Sequence, residues 1–191
     1  MAEPSCAIIS AETERQFVNE LERMNPTYAL AFRLIVETGI PYTHLIALKV
    51  SDVYGKDTLT YSARQGTVRK MPLSLTTKQK ITALCLRKAP DDTLLIGKVR
   101  SQPLHSATFT LALKSASEAC DIDPPVTIKS CHKTFLWHLL CQTGDIRQVK
   151  KYVHTNSESE LYTYIGIPET EPIGALPTEA KIGRASCRER V

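Results

Sequence analysis

The stretch that most constrains this chain is residues 127–166, TIKSCHKTFLWHLLCQTGDIRQVKKYVHTNSESELYTYIG. It reads as a polar turn, a strongly apolar helix, a glycine stop, a second helix and a short amphipathic tail that carries Tyr164. Leu136, Trp137, Leu139 and Leu140 are core positions of the apolar helix, and His138 among them is given no catalytic role.

The rest of the composition sets limits. A chain of 191 residues suits one domain and is long enough to bury a substantial core. With 42% hydrophobic and 23% charged residues, wholesale disorder is excluded. No apolar run approaches the roughly 20 residues of a membrane span. The opening MAEPSCAIIS lacks the basic region of a signal peptide, so a cytoplasmic location is expected. The cysteines, at positions 6, 85, 120, 131, 141 and 187, form no CxxC pair and several fall in apolar helical patterns. They are expected to be buried free thiols, with no metal site and no cofactor.

The formal net charge of +4 is uneven. Residues 181–191, KIGRASCRERV, look like a translated sequencing adapter and are set aside as an artefact. They hold four basic residues and one acidic residue, which leaves about +1 for the rest of the chain. Overall charge therefore carries no argument for nucleic acid, and only local clusters of Lys and Arg can.

Ser10 precedes the apolar run Phe17, Val18, Leu21 and Met24, with Glu12 and Glu14 in the first turn, which predicts a capped helix. Asn25-Pro26 ends it, and a second helix follows from about Tyr28 to a stop at Gly39. Pro41 opens a short helix through Leu48. The period then changes. Val53-Tyr54, Leu59–Tyr61 and Val68–Leu73 read as three short strands joined by turns at Gly55–Asp57 and Gln65–Thr67. Helical patterning returns at Thr77–Lys88, Leu94–Ile96 is a short extended piece, and Ser106 caps a helix carrying Phe109, Leu113, Ala116 and Cys120. The fold class is α+β, mainly α-helical, with a small antiparallel three-stranded sheet. Its one domain covers residues 8–166, followed by a Pro/Glu/Thr/Gly-rich tail at 167–180 that is expected to be disordered.

Three phrases give this order of elements a resemblance. ETGIPYTHLIALKVSDV (37–53) resembles a threonine-glycine turn, a short helix and an entry into a sheet. YSARQGTVRKMPLS (61–74) resembles a hairpin closing on a proline-leucine pair. In the third, residues 127–166, Thr155 lies 23 positions after His132 and Tyr164 lies 9 positions after Thr155. Together they are similar to the catalytic domain of the tyrosine recombinases (phage integrase family). In that family a tyrosine hydroxyl attacks the scissile phosphate and becomes linked to the 3′ end, conserving bond energy without ATP or metal. Two arginines hold the non-bridging oxygens as charge builds, a hairpin lysine protonates the leaving 5′ oxygen, and histidines assist proton transfer.

Carried over position by position, the resemblance implies a degenerate site. The first arginine falls on Pro41, which has neither charge nor donor. The hairpin lysine falls on Arg64, whose guanidinium is a poor general acid near neutrality. Lys129 stands at the histidine and His132 at the arginine of the His-x-x-Arg motif. Thr155 holds the late histidine position, with His154 beside it, and only Tyr164 is retained. The candidate catalytic set is Tyr164, His132, Lys129, Arg64 and His154. The candidate DNA-binding set is Lys133, Arg147, Lys150, Lys151, Arg69 and Lys70, a surface suited to phosphates.

Plainer roles exist for the same residues. Tyr164 has Leu161 at i−3 and could be a packing tyrosine, with Tyr162 as the other candidate. Lys129 and His132 could be a solvated helix start, although cations there oppose the helix dipole and would welcome an anion. About nine residues precede the first helix, so the N-terminal helical domain usual in the family is not expected on this chain. The resemblance implies a DNA-binding, integrase-like protein impaired in strand exchange, with double-stranded DNA and other recombinase subunits as partners and no membrane. Two alternatives stand beside it: an active integrase with a rearranged site using Tyr164, and a helical protein–protein module that does not bind DNA.

Overall fold

The structure is a computed structural model and describes residues 7–8, 10–63, 66–97, 102–153 and 157–166. Arg64, His154, Thr155, Cys6, Cys187 and both C-terminal segments, 167–180 and 181–191, lie outside the described residues.

Helix α1 (Ala11–Met24) starts where Ser10 Oγ accepts the Thr13 N–H, and it buries Phe17, Val18 and Leu21. Asn25 closes α1 through its own N–H and opens α2 (Pro26–Thr38) by accepting the Thr27 N–H at 2.9 Å. Proline at the first helical position loses no hydrogen bond, so α2 starts two residues before Tyr28. This helix is the centre of the molecule. Ten of its thirteen residues are buried, and it packs against α1, α5 and α7. Burying one large apolar side chain stabilises by about 1.5–3 kcal/mol, so a helix apolar on all sides belongs inside.

Helix α2 ends at Gly39, φ +67°, where the ring of Phe135 lies directly over the Cα. A Cβ there would sit 2.5 Å from Phe135 Cε1, so both backbone and space require glycine. Pro41 caps α3 (Tyr42–Leu45). The expected strand at Val53-Tyr54 is absent, because Val53 ends a further short helix, α4 (Val50–Val53). Its turn is held by the Asp52 carboxylate, which accepts the Lys49 N–H at 2.8 Å. The N–H groups of Val50 and Ser51 donate to the carbonyls of Asp92 and Pro90. Those partners outweigh the strand preference of two valines.

The sheet therefore has two strands, β1 (Thr58–Ser62) and β2 (Val68–Pro72), paired antiparallel with Tyr61 opposite Arg69 and Leu59 opposite Met71. Alternation turns Leu59, Tyr61, Arg69 and Met71 to the inner face, leaving Val68 and Lys70 exposed. Helix α5 (Leu75–Cys85) follows, capped by Ser74. The Leu94–Ile96 segment forms only isolated bridges, Lys49 to Thr93 and Ile96 to Pro103. Helix α6 (Ser106–Ala119) is capped by His105, one residue before Ser106.

Helix α7 (Ile128–Thr143) begins with a reciprocal cap: Thr127 Oγ1 accepts from Ser130 N–H and Ser130 Oγ accepts from Thr127 N–H. It ends at Gly144, φ +64°. Two short helices complete the fold, α8 (Ile146–Lys150) and α9 (Glu158–Ile165). The core has two parts. The larger gathers around α2, and a smaller one joins Phe135, Trp137 and Leu140 of α7 to Ile146 and Val149 of α8 and Leu161 and Ile165 of α9. Cys85, Cys131 and Cys141 are buried free thiols, and Cys120 is a half-buried one. Among the described residues, no helix is long and apolar enough to cross a membrane.

Candidate functional site

Tyr164 is set by the packing of α9. Ser157 Oγ accepts the Glu160 N–H to start the helix, Gly166 ends it at φ +91°, and Leu161 and Ile165 anchor it in the smaller core. That pair of anchors leaves Tyr164 on the flank, 40% exposed, while Tyr162 packs against the core. The ring of Tyr164 faces the first turns of α7, where Lys133 Nζ lies 5.0 Å from its centroid. Partial burial pushes its phenol above the ordinary tyrosine range.

Helix spacing places Lys129, His132 and Lys133 on one side of α7. Lys129 is exposed, whereas His132 is half-buried and burial pushes its imidazole below the usual range, toward the neutral form. His132, which the resemblance sets at the second arginine position, is thus pushed away from the cationic form. Pro41, which the resemblance sets at the first arginine position, is half-buried at the start of α3. Its neighbour Tyr42 stacks on Phe109, 5.7 Å between centroids, and donates to the Leu104 carbonyl at 2.7 Å. Burial pushes that phenol up to about 12. Chain after Pro41 is held by apolar stacking, with no guanidinium.

The other basic residues fare differently from one another. Lys70 is exposed on the outer face of β2. Arg69, one residue away, faces inward: its guanidinium carbon lies 3.9 Å over the Tyr152 ring and its Nη2 donates to the Lys151 carbonyl at 2.9 Å. Arg147 pairs with the Asp145 carboxylate at 3.2 Å and remains largely exposed. Lys151 Nζ donates to Gln148 Oε1 at 2.8 Å, and Lys150 is half-buried on α8. The structure therefore brings together Tyr164, Lys133 and the first turns of α7, and it separates Arg69 from Lys70 by turning them to opposite faces. Among the described residues no group of three or more His, Cys, Asp or Glu is arranged to hold a metal ion.

Two features escaped sequence reasoning. The first is the inward-facing Arg69, which strand alternation from Tyr61 and Met71 would have revealed. The second is His138, whose Nε2 lies 2.8 Å from Glu14 Oε2 and whose imidazole that carboxylate helps push above the usual range against the effect of burial. No sequence signal pairs residues from α1 and α7. His138 also lines a cleft of about 600 Å³ with Glu37, Met71, Leu73, Phe135 and Gln142, at the opposite end of α7 from Lys129.

A bundle of helices around one antiparallel hairpin, with a tyrosine on a late short helix, is the fold of a tyrosine recombinase catalytic domain. The XerA recombinase structure superimposes with a TM-score of 0.67 at 16% identity, covering 98% of this chain and 68% of that one. A λ integrase tetramer bound to a Holliday junction gives 0.64 at 17% identity, covering 90% and 52%. The XerH site-specific recombinase in a post-cleavage complex with a palindromic difH substrate gives 0.65 at 13% identity, covering 86% and 50%. The chain thus spans about half the length of the latter two. The sequence model of the phage integrase family matches residues 8–168, and the chain belongs to that family. It is also 25% identical over 136 residues to a probable integrase/recombinase, YoeC, of Bacillus subtilis (strain 168), covering 70% of this chain and 74% of that protein.

Proposed function

We propose that this chain binds double-stranded DNA as an integrase-like recombinase subunit and is impaired in strand exchange. One observation carries the reading: Tyr164 is presented half-exposed beside the first turns of α7, yet the two arginine positions hold Pro41 and a half-buried His132. In the family's reaction the tyrosine oxygen bonds to phosphorus and the 5′ oxygen leaves with a proton. Negative charge on the non-bridging oxygens then needs fixed donors. Losing one such donor costs about 10²–10³ in rate. Lys129, Lys133 and Lys70 give the DNA face charge for phosphate contacts, which confer affinity and orientation but little sequence choice. Arg64 and His154 stay in the proposed catalytic set as hairpin and late-histidine positions. Arg147, Lys150 and Lys151 stay in the DNA-binding set through α8. The solved relatives include a λ integrase tetramer on a Holliday junction, which supports other recombinase subunits as partners. The protein would act in the cytoplasm.

A nicked suicide duplex tests the reading, run on the full chain and in parallel on a version ending at residue 180. Duplex retardation that weakens steeply with salt, without a covalent adduct, is expected. An adduct lost in Tyr164→Phe would show that strand cleavage survives, and its further loss in His132→Ala would assign it to a rearranged site. No retardation at low salt would sink the DNA-binding half and leave the protein–protein module standing.

A further inference from the structure

Lys70, Arg147 and Lys151 of the proposed DNA-binding set are exposed, whereas Arg69 is half-buried and touches protein on more than one side. It stands opposite Tyr61 on the inner face of the hairpin. Tyr61 donates to the Thr38 carbonyl at 2.8 Å, just before the Gly39 turn that leads to Pro41. On the other side Arg69 stacks 3.9 Å over Tyr152 and donates to the Lys151 carbonyl. Tyr152 in turn meets Phe135 edge-on, 5.1 Å between centroids, and its hydroxyl lies 3.6 Å from Met71 Sδ. Phe135 belongs to the small core that anchors α9 through Leu161 and Ile165.

We propose that Arg69 is a positioning residue: it pins the hairpin to the segment after α8 and thereby fixes where α9 presents Tyr164. A planar guanidinium can stack on a ring and donate in its own plane at the same time, which an ammonium cannot. The pin connects three segments that carry sequence-predicted site positions: the turn before Pro41, the hairpin, and the α8–α9 region. The importance of Tyr164 rests on the functional reading above, but the pin itself is testable without DNA.

Hydrogen exchange and fluorine NMR on the DNA-free full chain, labelled with 3-fluorotyrosine, form the test. Arg69→Ala is expected to speed amide exchange across 157–166 by roughly five- to thirtyfold, the range that losing one strong contact produces. Exchange in α1 and α2 should hold. The Tyr164 resonance, identified by its absence in Tyr164→Phe, should shift while that of Tyr28, buried in α2, does not. Tyr152→Leu should reproduce both effects and Tyr152→Phe, which keeps the ring, should not. If Arg69→Ala fails to fold, Arg69→Lys carries the same readouts, because it keeps charge and stem but loses the fork. Unchanged exchange and an unshifted Tyr164 signal in the folded variant would overturn the pin. So would uniform loosening of every helix, which marks a general packing role. On duplex DNA, a slope of log affinity against log salt lower by about one in folded Arg69→Ala, with α9 exchange unchanged, would make Arg69 a phosphate contact instead. Absence of DNA binding altogether would sink the functional reading while the exchange data still decide the pin.

Discussion

Helix α7 carries two histidines six residues apart, and their surroundings drive them in opposite directions. His132, in the second turn, is half-buried, and burial alone pushes its imidazole toward the neutral form. At His138 burial also works against charge, but hydrogen bonds to the Glu14 carboxylate and the Val36 carbonyl, with Glu37 nearby, outweigh it and push the imidazole up. The Glu14 carboxylate 2.8 Å from Nε2 favours the protonated imidazole. The position that the resemblance sets against the family's second arginine thus holds a group pushed toward neutrality. The histidine whose imidazole is pushed up instead pairs α7 with Glu14 of α1.

The most severe way to break this arrangement is at the point between the two histidines. Gly39→Ala would place a methyl group against Phe135 at a left-handed backbone position. Backbone strain and overpacking together are expected to cost about 2–5 kcal/mol. Urea denaturation followed by the fluorescence of Trp137, the one tryptophan, measures the loss.

Next in size is His138→Ala, which leaves the Glu14 carboxylate, 20% exposed, without its ion-pair partner. A hydrogen bond to a charged group contributes about 1.5–3 kcal/mol, and a loss in that range is expected at pH 6. The folded imidazole titrates above its unfolded value, so its contribution is complete below the unfolded pKa and disappears as pH rises through the folded one. Wild type and variant should therefore converge in stability at alkaline pH. Denaturation midpoints at several pH values between 5 and 9 test this, and a gap that does not narrow would refute the ion pair.

His132 is expected to act with the opposite sign and less strongly. Its folded pKa lies below the unfolded value, so the unfolded chain takes up the proton first and stability falls as pH drops through the unfolded pKa. His132→Gln should flatten that acid limb and leave the alkaline one intact. A titration of the imidazole proton resonances gives the direct comparison, with His132 titrating below and His138 above a free histidine. Coincident titrations would dissolve the contrast between the two ends of the helix.

The sequence revealed most of what depends on neighbours in the chain. Ser10, Asn25, Thr127 and Gly144 announce helix ends, because caps bond to groups two to four residues away. The spacing up to Tyr164 identified the frame for the same reason, since it is a distance along the chain. What failed was set by distant partners. Val53-Tyr54 has strand-forming residues, yet the carbonyls of Pro90 and Asp92 hold the segment just before it in a helical turn. Glu14 and His138 are 124 positions apart and nothing in either neighbourhood announces the other. Arg69 was partly legible: alternation in β2 gives its face, while Tyr152 as its partner requires the fold.

The smallest structural effect belongs to the open end of α7, and it separates a solvated helix start from a phosphate contact. Lys129 is exposed in the first turn, where a cation opposes the helix dipole. Lys129→Ala is therefore expected to change stability by no more than about 0.5 kcal/mol, with a gain if anything. On duplex DNA the same change should weaken binding and reduce the slope of log affinity against log salt by about one, independent of sequence. His138→Ala, at the other end, should leave that slope untouched in the folded fraction. If both variants leave the slope alone, the first turn of α7 is only a solvated helix start, and the phosphate-facing surface must be sought on Lys70 and α8.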